Sequence, residues 1–212
     1  MTQINLSQID SKLKILNVVQ TGTLTRDGAV FSGFGNSNYL QLGARVDKGI
    51  LSLDSSTYTK DFGQVIRTAD TWEICFKAHY TPDNNAQMIF STEASFGVQL
   101  DFYQGYLEIA IGDGTQWIAT NLKWDTPLQT DTWYYTKVVF SGTQYLLYVS
   151  LDGIEYTLCN HYDTETKINV NALGRIGCFV STDPFPFQSK IDLSECYIKI
   201  NGEFWWKGVE TI

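Results

Sequence analysis

Two short runs place an aromatic ring beside amide and carboxylate groups: "DFYQGY", beginning at Asp101, and "LKWDTP", beginning at Leu122. An aromatic face covers the C–H side of a sugar ring, while amides and carboxylates take its hydroxyls. Tyr103 and Trp124 are therefore candidate platforms, with Asp101, Gln104 and Asp125 as hydrogen-bonding companions. A third aromatic candidate stands in "CYIKINGEFWWK", which sets Trp205 beside Trp206. Adjacent strand residues point to opposite faces. Alternation about the Asn201-Gly202 turn puts Cys196, Ile198, Ile200 and Trp205 on one face and Tyr197, Lys199, Phe204 and Trp206 on the other. Trp205 is then the core residue, and Trp206 is either covered by another segment or open to a ligand.

Other chemistry is thinner. Oxygen ligands for calcium arise in "PDNNAQ" and "STDPFP", as Asp83, Asn84, Asn85 and Asp183. The plainer reading is that these residues shape turns, since neither run has a D-x-D-x-D-G spacing; a structural calcium is the one cofactor weighed. The four cysteines, Cys75, Cys159, Cys178 and Cys196, lie singly in separate strand-like segments and read as small buried hydrophobes, with a Cys178–Cys196 pair as the alternative. His79 and His161 stand apart, beside turns, and join no metal-type cluster. Asp152 with Glu155 straddles a turn, and "DTET" at 163–166 reads as a solvated loop. Glu73, Glu108 and Glu155, on different strands, stay open as acids.

These residues must be held by strands. The chain has 212 residues with 12 Tyr, 12 Phe and 6 Trp but only 4 Pro, a balance that favours strands over helices. A [DN]-G-x-x-aromatic pattern recurs at Asp27-Gly28, Asp113-Gly114, Asp152-Gly153 and Asn201-Gly202. Such steps mark hairpins, because both central residues of a type I′ turn have positive φ. Two-residue loops would set Trp117 opposite Ala110, Tyr156 opposite Val149 and Trp205 opposite Ile198. Trp72, Trp117 and Trp133 join the expected core, and Tyr145 and Tyr148 fall on opposite faces. Many short antiparallel strands imply two packed sheets. Residues 1–19 form an expected N-terminal arm for docking or oligomerisation, and 20–212 the sandwich domain. The formal net charge of -8, with scattered basic residues, argues against nucleic acid, and no apolar run is long enough for membrane insertion. The N-terminus lacks the basic start and apolar run of a signal peptide.

The run from Trp133 to Gly153, with a W-x-x-x-K strand, a turn glycine and a Y-x-x-Y-x-S-x-D-G strand, resembles the laminin-G-like, concanavalin A-like jelly-roll superfamily. "IDLSECYIKINGEFWWKG" is similar to the terminal strands of such domains in bacteriophage tail and surface proteins, and "GFGNSNYLQL" to their opening strand. The resemblance implies an all-β, two-sheet jelly-roll sandwich whose concave face or rim often binds carbohydrate, sometimes beside calcium. It does not imply catalysis, since the E-x-D-x-x-E strand of laminarinase-type members is absent, which leaves a glycoside hydrolase as the weakest alternative. The leading expectation is a non-catalytic, lectin-like adhesin on a phage virion surface, assembled in the host cytoplasm and recognising a cell-surface glycan. The competing expectation is a structural decoration or assembly protein whose partners are other virion proteins or a second copy of itself.

Overall fold

The computed structural model describes residues 24–26, 29–31, 39–40, 45–47, 50–53, 59–60, 66, 68–83, 85–92, 96–169, 174–177, 187–208 and 210–211. The expected arm at 1–19, together with Asn84, Cys178 and Asp183, lies outside them. The strands begin with β1 (Leu24–Arg26), β2 (Ala29–Phe31), β3 (Tyr39–Leu40), β4 (Arg45–Asp47), β5 (Ile50–Ser52) and β6 (Thr59–Lys60). Longer ones follow: β7 (Trp72–Tyr80), β8 (Gln87–Thr92), β9 (Val98–Tyr103), β10 (Tyr106–Gly112), β11 (Trp117–Lys123) and β12 (Thr132–Phe140). The last are β13 (Gln144–Ser150), β14 (Thr157–Asp163), β15 (Gly174–Ile176), β16 (Lys190–Ile200), β17 (Glu203–Lys207) and β18 (Glu210–Thr211). No helix occurs among the described residues.

Two large antiparallel sheets form the sandwich. One has seven strands in the order β11-β10-β9-β8-β15-β6-β3; the other has eight, in the order β14-β13-β12-β7-β16-β5-β4 with β17 also on β16. A small sheet, β1-β2-β18, stands beside them. Alternation decides which side chains meet between the layers. In β12, Tyr134, Thr136, Val138 and Phe140 are buried, while Trp133, Tyr135, Lys137 and Val139 are half-buried on the opposite face. The inward set packs across the sandwich: Phe76 of β7 stacks on Phe90 of β8 at 5.4 Å between centroids, and Phe102 meets Tyr80, Tyr134 and Phe187. Each such ring contributes about 1.5–3 kcal/mol through burial. The buried Thr136 hydroxyl donates to the Phe76 carbonyl, so this polar atom is satisfied inside the core.

The Asn201-Gly202 turn is the expected two-residue hairpin, with φ of 49° and 84° and Ile200 paired to Glu203. The expected pairings beyond the turns are not observed. Gly112 pairs with Trp117 and Val149 with Thr157, so the Asp113 and Asp152 loops are wider than two residues. The reason is side-chain capture of the loop backbone. Asp113 Oδ1 accepts from the Thr115 and Gln116 amides, and Asp152 Oδ1 from those of Ile154 and Glu155. The third departure is a β-bulge. Lys199 pairs with Phe204 but Ile198 pairs with Trp206, leaving Trp205 as the extra residue on β17. One extra residue reverses the faces beyond it. Trp206 is 2% exposed and meets Phe76 at 6.2 Å, whereas Trp205 is 40% exposed. Trp72 is a core residue as expected, and Tyr145 is buried on the face opposite Tyr148, but Trp117 and Trp133 are half-buried, Trp133 on the outer face against His79.

Candidate functional site

Five of the residues singled out in the sequence, Asp101, Tyr103, Gln104, Trp124 and Asp125, gather at one end of the seven-stranded sheet. Asp101, Tyr103 and Gln104 sit on the β9–β10 hairpin, where Gln104 takes φ 49° and its Nε2 donates to the Tyr103 hydroxyl at 3.0 Å. The segment 124–128 crosses that hairpin, with the Trp124 amide donating to the Leu107 carbonyl and the Leu128 amide to that of Gly105. Trp124 and the exposed Asp125 therefore lie near Tyr103, but the Trp124 ring packs on the core against Tyr134 at 6.1 Å. Asp101 faces Glu108 across β9 and β10. Burial, and then the Glu108 charge, hold the Asp101 carboxyl well above its ordinary range; burial also raises Glu108. Trp206 belongs to the core. Asp83 accepts from the Asn85 amide, which is turn chemistry, and no group of three or more His, Cys, Asp or Glu able to hold a metal occurs among the described residues.

A concavity lies on the outer face of the eight-stranded sheet. Pairing sets Tyr148, Lys137, Cys75, Tyr197 and Lys207 side by side in one row across β13, β12, β7, β16 and β17. Flanking rows hold Tyr135, Lys77 and Asp192 on one side, and Glu73, Lys199 and Phe204 on the other. Lysines and rings alternate across this face. Lys137 Nζ lies 3.5 Å from the Tyr156 ring centroid, Lys199 Nζ 4.9 Å from those of Tyr197 and Phe204, and Lys207 Nζ 4.2 Å from that of Phe204. Such contacts anchor flexible lysines against aromatic faces.

Two walls turn the row into a cleft of about 310 Å³ lined by Tyr135, Tyr156, Glu195, Tyr197, Phe204 and Lys207, among others. One wall is an irregularity in β16, where the register against β7 breaks between Asp192 and Tyr197 and residues 193–196 bulge out. Gly208 secures it: its amide donates to the Cys196 carbonyl, and a β-carbon there would lie 2.0 Å from the Leu193 carbonyl oxygen. Ser194 donates through its amide and hydroxyl to Asp192 Oδ1, while Asp192 Oδ2 holds Lys77 at 2.9 Å. The other wall is the β13–β14 loop, whose Asp152 and Gly153 amides donate to Ser150 Oγ.

Neutral phenols line the cleft, with the Glu73 carboxylate and the buried Cys75 thiol hydrogen-bonded to them. The Tyr197 hydroxyl donates to Glu73 Oε1, and Lys199 Nζ lies 3.6 Å from the same oxygen. Burial pushes the Tyr156 and Tyr197 phenols far above their ordinary value, so both remain protonated donors. Burial likewise pushes the Cys75 thiol up to about 11, with its sulfur 3.5 Å from the Tyr156 hydroxyl. A thiol so placed is no nucleophile at neutral pH. The cleft presents aromatic rings, neutral hydroxyls, one exposed carboxylate at Glu195 and the Lys207 ammonium. Alternation in "CYIKINGEFWWK" puts Tyr197, Lys199 and Phe204 on one face, as expected, without the Trp206 expected beside them, and it offers no sign of Tyr135, Tyr156 and Lys207. The alternating rings and lysines of "WYYTK" and "CYIK" were the available signal.

No protein-family model matches the chain, and no curated protein matches it in sequence. Solved structures do. The LG1–3 region of the laminin α2 chain superposes with a TM-score of 0.51 at 10% identity, over 72% of this chain and 32% of that one. The CBM40 of Ruminococcus gnavus IT-sialidase, bound to α2,3 sialyllactose, gives 0.53 at 14% identity, over 76% of this chain and 94% of that one. The fold is a concanavalin A-like, laminin-G-like jelly roll. The enzymatically active domain of bacteriophage CBA120 tailspike protein 2 contains a similar jelly roll, at 0.53 and 12% identity over 88% of this chain and 31% of that one. The chain thus spans about a third of the laminin and tailspike structures, and at these identities the likeness is one of fold.

Proposed function

We propose that this jelly roll is a non-catalytic glycan-binding domain and that the cleft over Tyr197 is its binding site. The observation that carries the reading is the concavity itself: it is lined by the aromatic side chains of Tyr135, Tyr156, Tyr197 and Phe204, with Lys207 and Glu195 at hand. Its volume, about 310 Å³, suits one or two sugar rings. The finer reading is a bacteriophage virion-surface adhesin recognising a host-cell glycan, in which many weak sites on one particle add up to avidity. Similarity of fold to a sialidase carbohydrate-binding module and to part of a phage tailspike supports it.

The test is a glycan array probed with multivalent protein, with and without calcium, using wild type and Tyr135→Ala. Selective binding lost in Tyr135→Ala while Tyr103→Ala and Asp125→Ala retain it supports this site. Loss in the last two alone would move the site to the β9–β10 end. One observation favours the assembly reading instead: Leu151 and Ile154, on the loop forming one wall, are 66% and 83% exposed. Silence across the array, together with a defined oligomer disrupted by Ile154→Asp, would establish that reading in its place.

A further inference from the structure

Lys137 is half-buried, and its ammonium rests on the rings of Tyr156 and Tyr148, at 3.5 and 5.1 Å from their centroids. Lys207 lies on the same row, past Cys75 and Tyr197, and lines the cleft. Among the described residues the ion pairs of this face are Lys77 with Asp192 and Lys199 with Glu73, so neither Lys137 nor Lys207 is paired with a carboxylate. A partly desolvated ammonium held only by ring faces gains strongly from an anion. The phenols between the two lysines are neutral, and the carboxylate beside them, Glu73, is held by the Tyr197 hydroxyl and by Lys199, whose Nζ lies 3.6 Å from the same oxygen. Such a site is unusual in a chain whose formal net charge is -8, which would repel an anion elsewhere on its surface.

We infer that the cleft takes an acidic glycan, whose carboxylate or sulfate meets Lys207 beside Tyr156 and Tyr197. The inference rests on the glycan-binding reading of this cleft and narrows it to a chemical class. Lys207 supplies a charge-assisted hydrogen bond from the open side, and Lys137 a fixed positive field from beneath Tyr156. Glu195, exposed on the β16 bulge, is the opposing charge and excludes ligands that bring their anion to that wall.

Galactose-based oligosaccharides presented bare, capped with sialic acid, and sulfated form the test series, measured by calorimetry or biolayer interferometry at low and high salt. Expected are at least about tenfold tighter binding of one acidic series than of the bare one, loss of that preference in Lys207→Gln, and a gain in Glu195→Gln. Which acidic series binds separates carboxylate from sulfate. If bare and acidic sugars bind equally, insensitive to salt and to Lys207→Gln but lost in Tyr135→Ala, the acidic class is wrong while the glycan site stands. If no sugar binds, or if a single-stranded oligonucleotide binds instead, both readings fall.

Discussion

A β-carbon added to Gly153 would lie 2.7 Å from the Cε1 and Cζ atoms of Tyr135, so the loop backbone rests directly on that ring. Gly153 also has φ 74°, where an alanine is strained by about 1–2 kcal/mol. Gly153→Ala is therefore expected to lower stability by roughly that amount and to push Tyr135 out of the cleft wall. Thermal unfolding reads the first effect and glycan binding the second. Full binding by a folded Gly153→Ala protein would mean that the Tyr135 position does not matter.

The bulge on β17 makes the two adjacent indoles unequal. Trp206→Ala should destabilise the fold by about 3–5 kcal/mol, because it empties a core site beside Phe76, whereas Trp205→Ala should stay within about 1 kcal/mol. Urea denaturation of the two variants measures this directly. The reverse order would mean that Ile198 pairs with Trp205 and the bulge is absent.

That bulge also shows where sequence pattern stops being informative. The strand "WYYTKVVF" was legible as a strand, but Trp133, expected in the core, lies with Tyr135 and Lys137 on the outer face, because a regular strand keeps its period and Tyr134 and Val138 take the inner one. Many such runs implied two packed sheets, and the resemblance to laminin-G-like domains supplied the jelly-roll class. Alternation failed at Trp205 and Trp206 because a single extra residue inverts the faces and leaves no mark in composition. The Asp113 and Asp152 loops were misjudged for a related reason: an aspartate that captures two loop amides stabilises a wider turn than Asp-Gly alone suggests. The cleft walls are features of the same two kinds, the β16 irregularity at 193–196 and the wide Asp152 loop. Its floor, Tyr197 with Lys199 and Phe204, was visible as an outward face, yet no local pattern told that β12 and β7 would bring Tyr135 and Lys137 alongside.

Asp101 gives a pH prediction. Its folded carboxyl is raised well above the ordinary 3.8 by burial and by Glu108 opposite, so the fold prefers the protonated form. The stability this preference contributes is complete below the unfolded pKa and disappears as pH rises through the raised folded value. Asp101→Asn should accordingly stabilise the protein at neutral pH and have little effect below about pH 3.8. Denaturant melts at the two pH values decide it. Destabilisation at neutral pH would show that the ionised carboxylate has a partner that outweighs Glu108.

Tyr197 can separate the ring from the hydroxyl in the cleft floor. Its hydroxyl donates to Glu73, which also holds Lys199 at 3.6 Å. Tyr197→Phe removes one donor to a half-buried carboxylate and is expected to cost about 1–2 kcal/mol of stability, because Glu73 keeps Lys199. The ring and its edge contact with Phe204, at 5.6 Å, remain. If the floor acts through its aromatic face, Tyr197→Phe retains ligand affinity within about threefold, and Tyr197→Ala loses at least about tenfold. Equal losses in both variants, measured on proteins that stay folded, would instead assign recognition to the phenol hydroxyl. The Glu73–Tyr197 hydrogen bond would then be what positions that hydroxyl for the ligand.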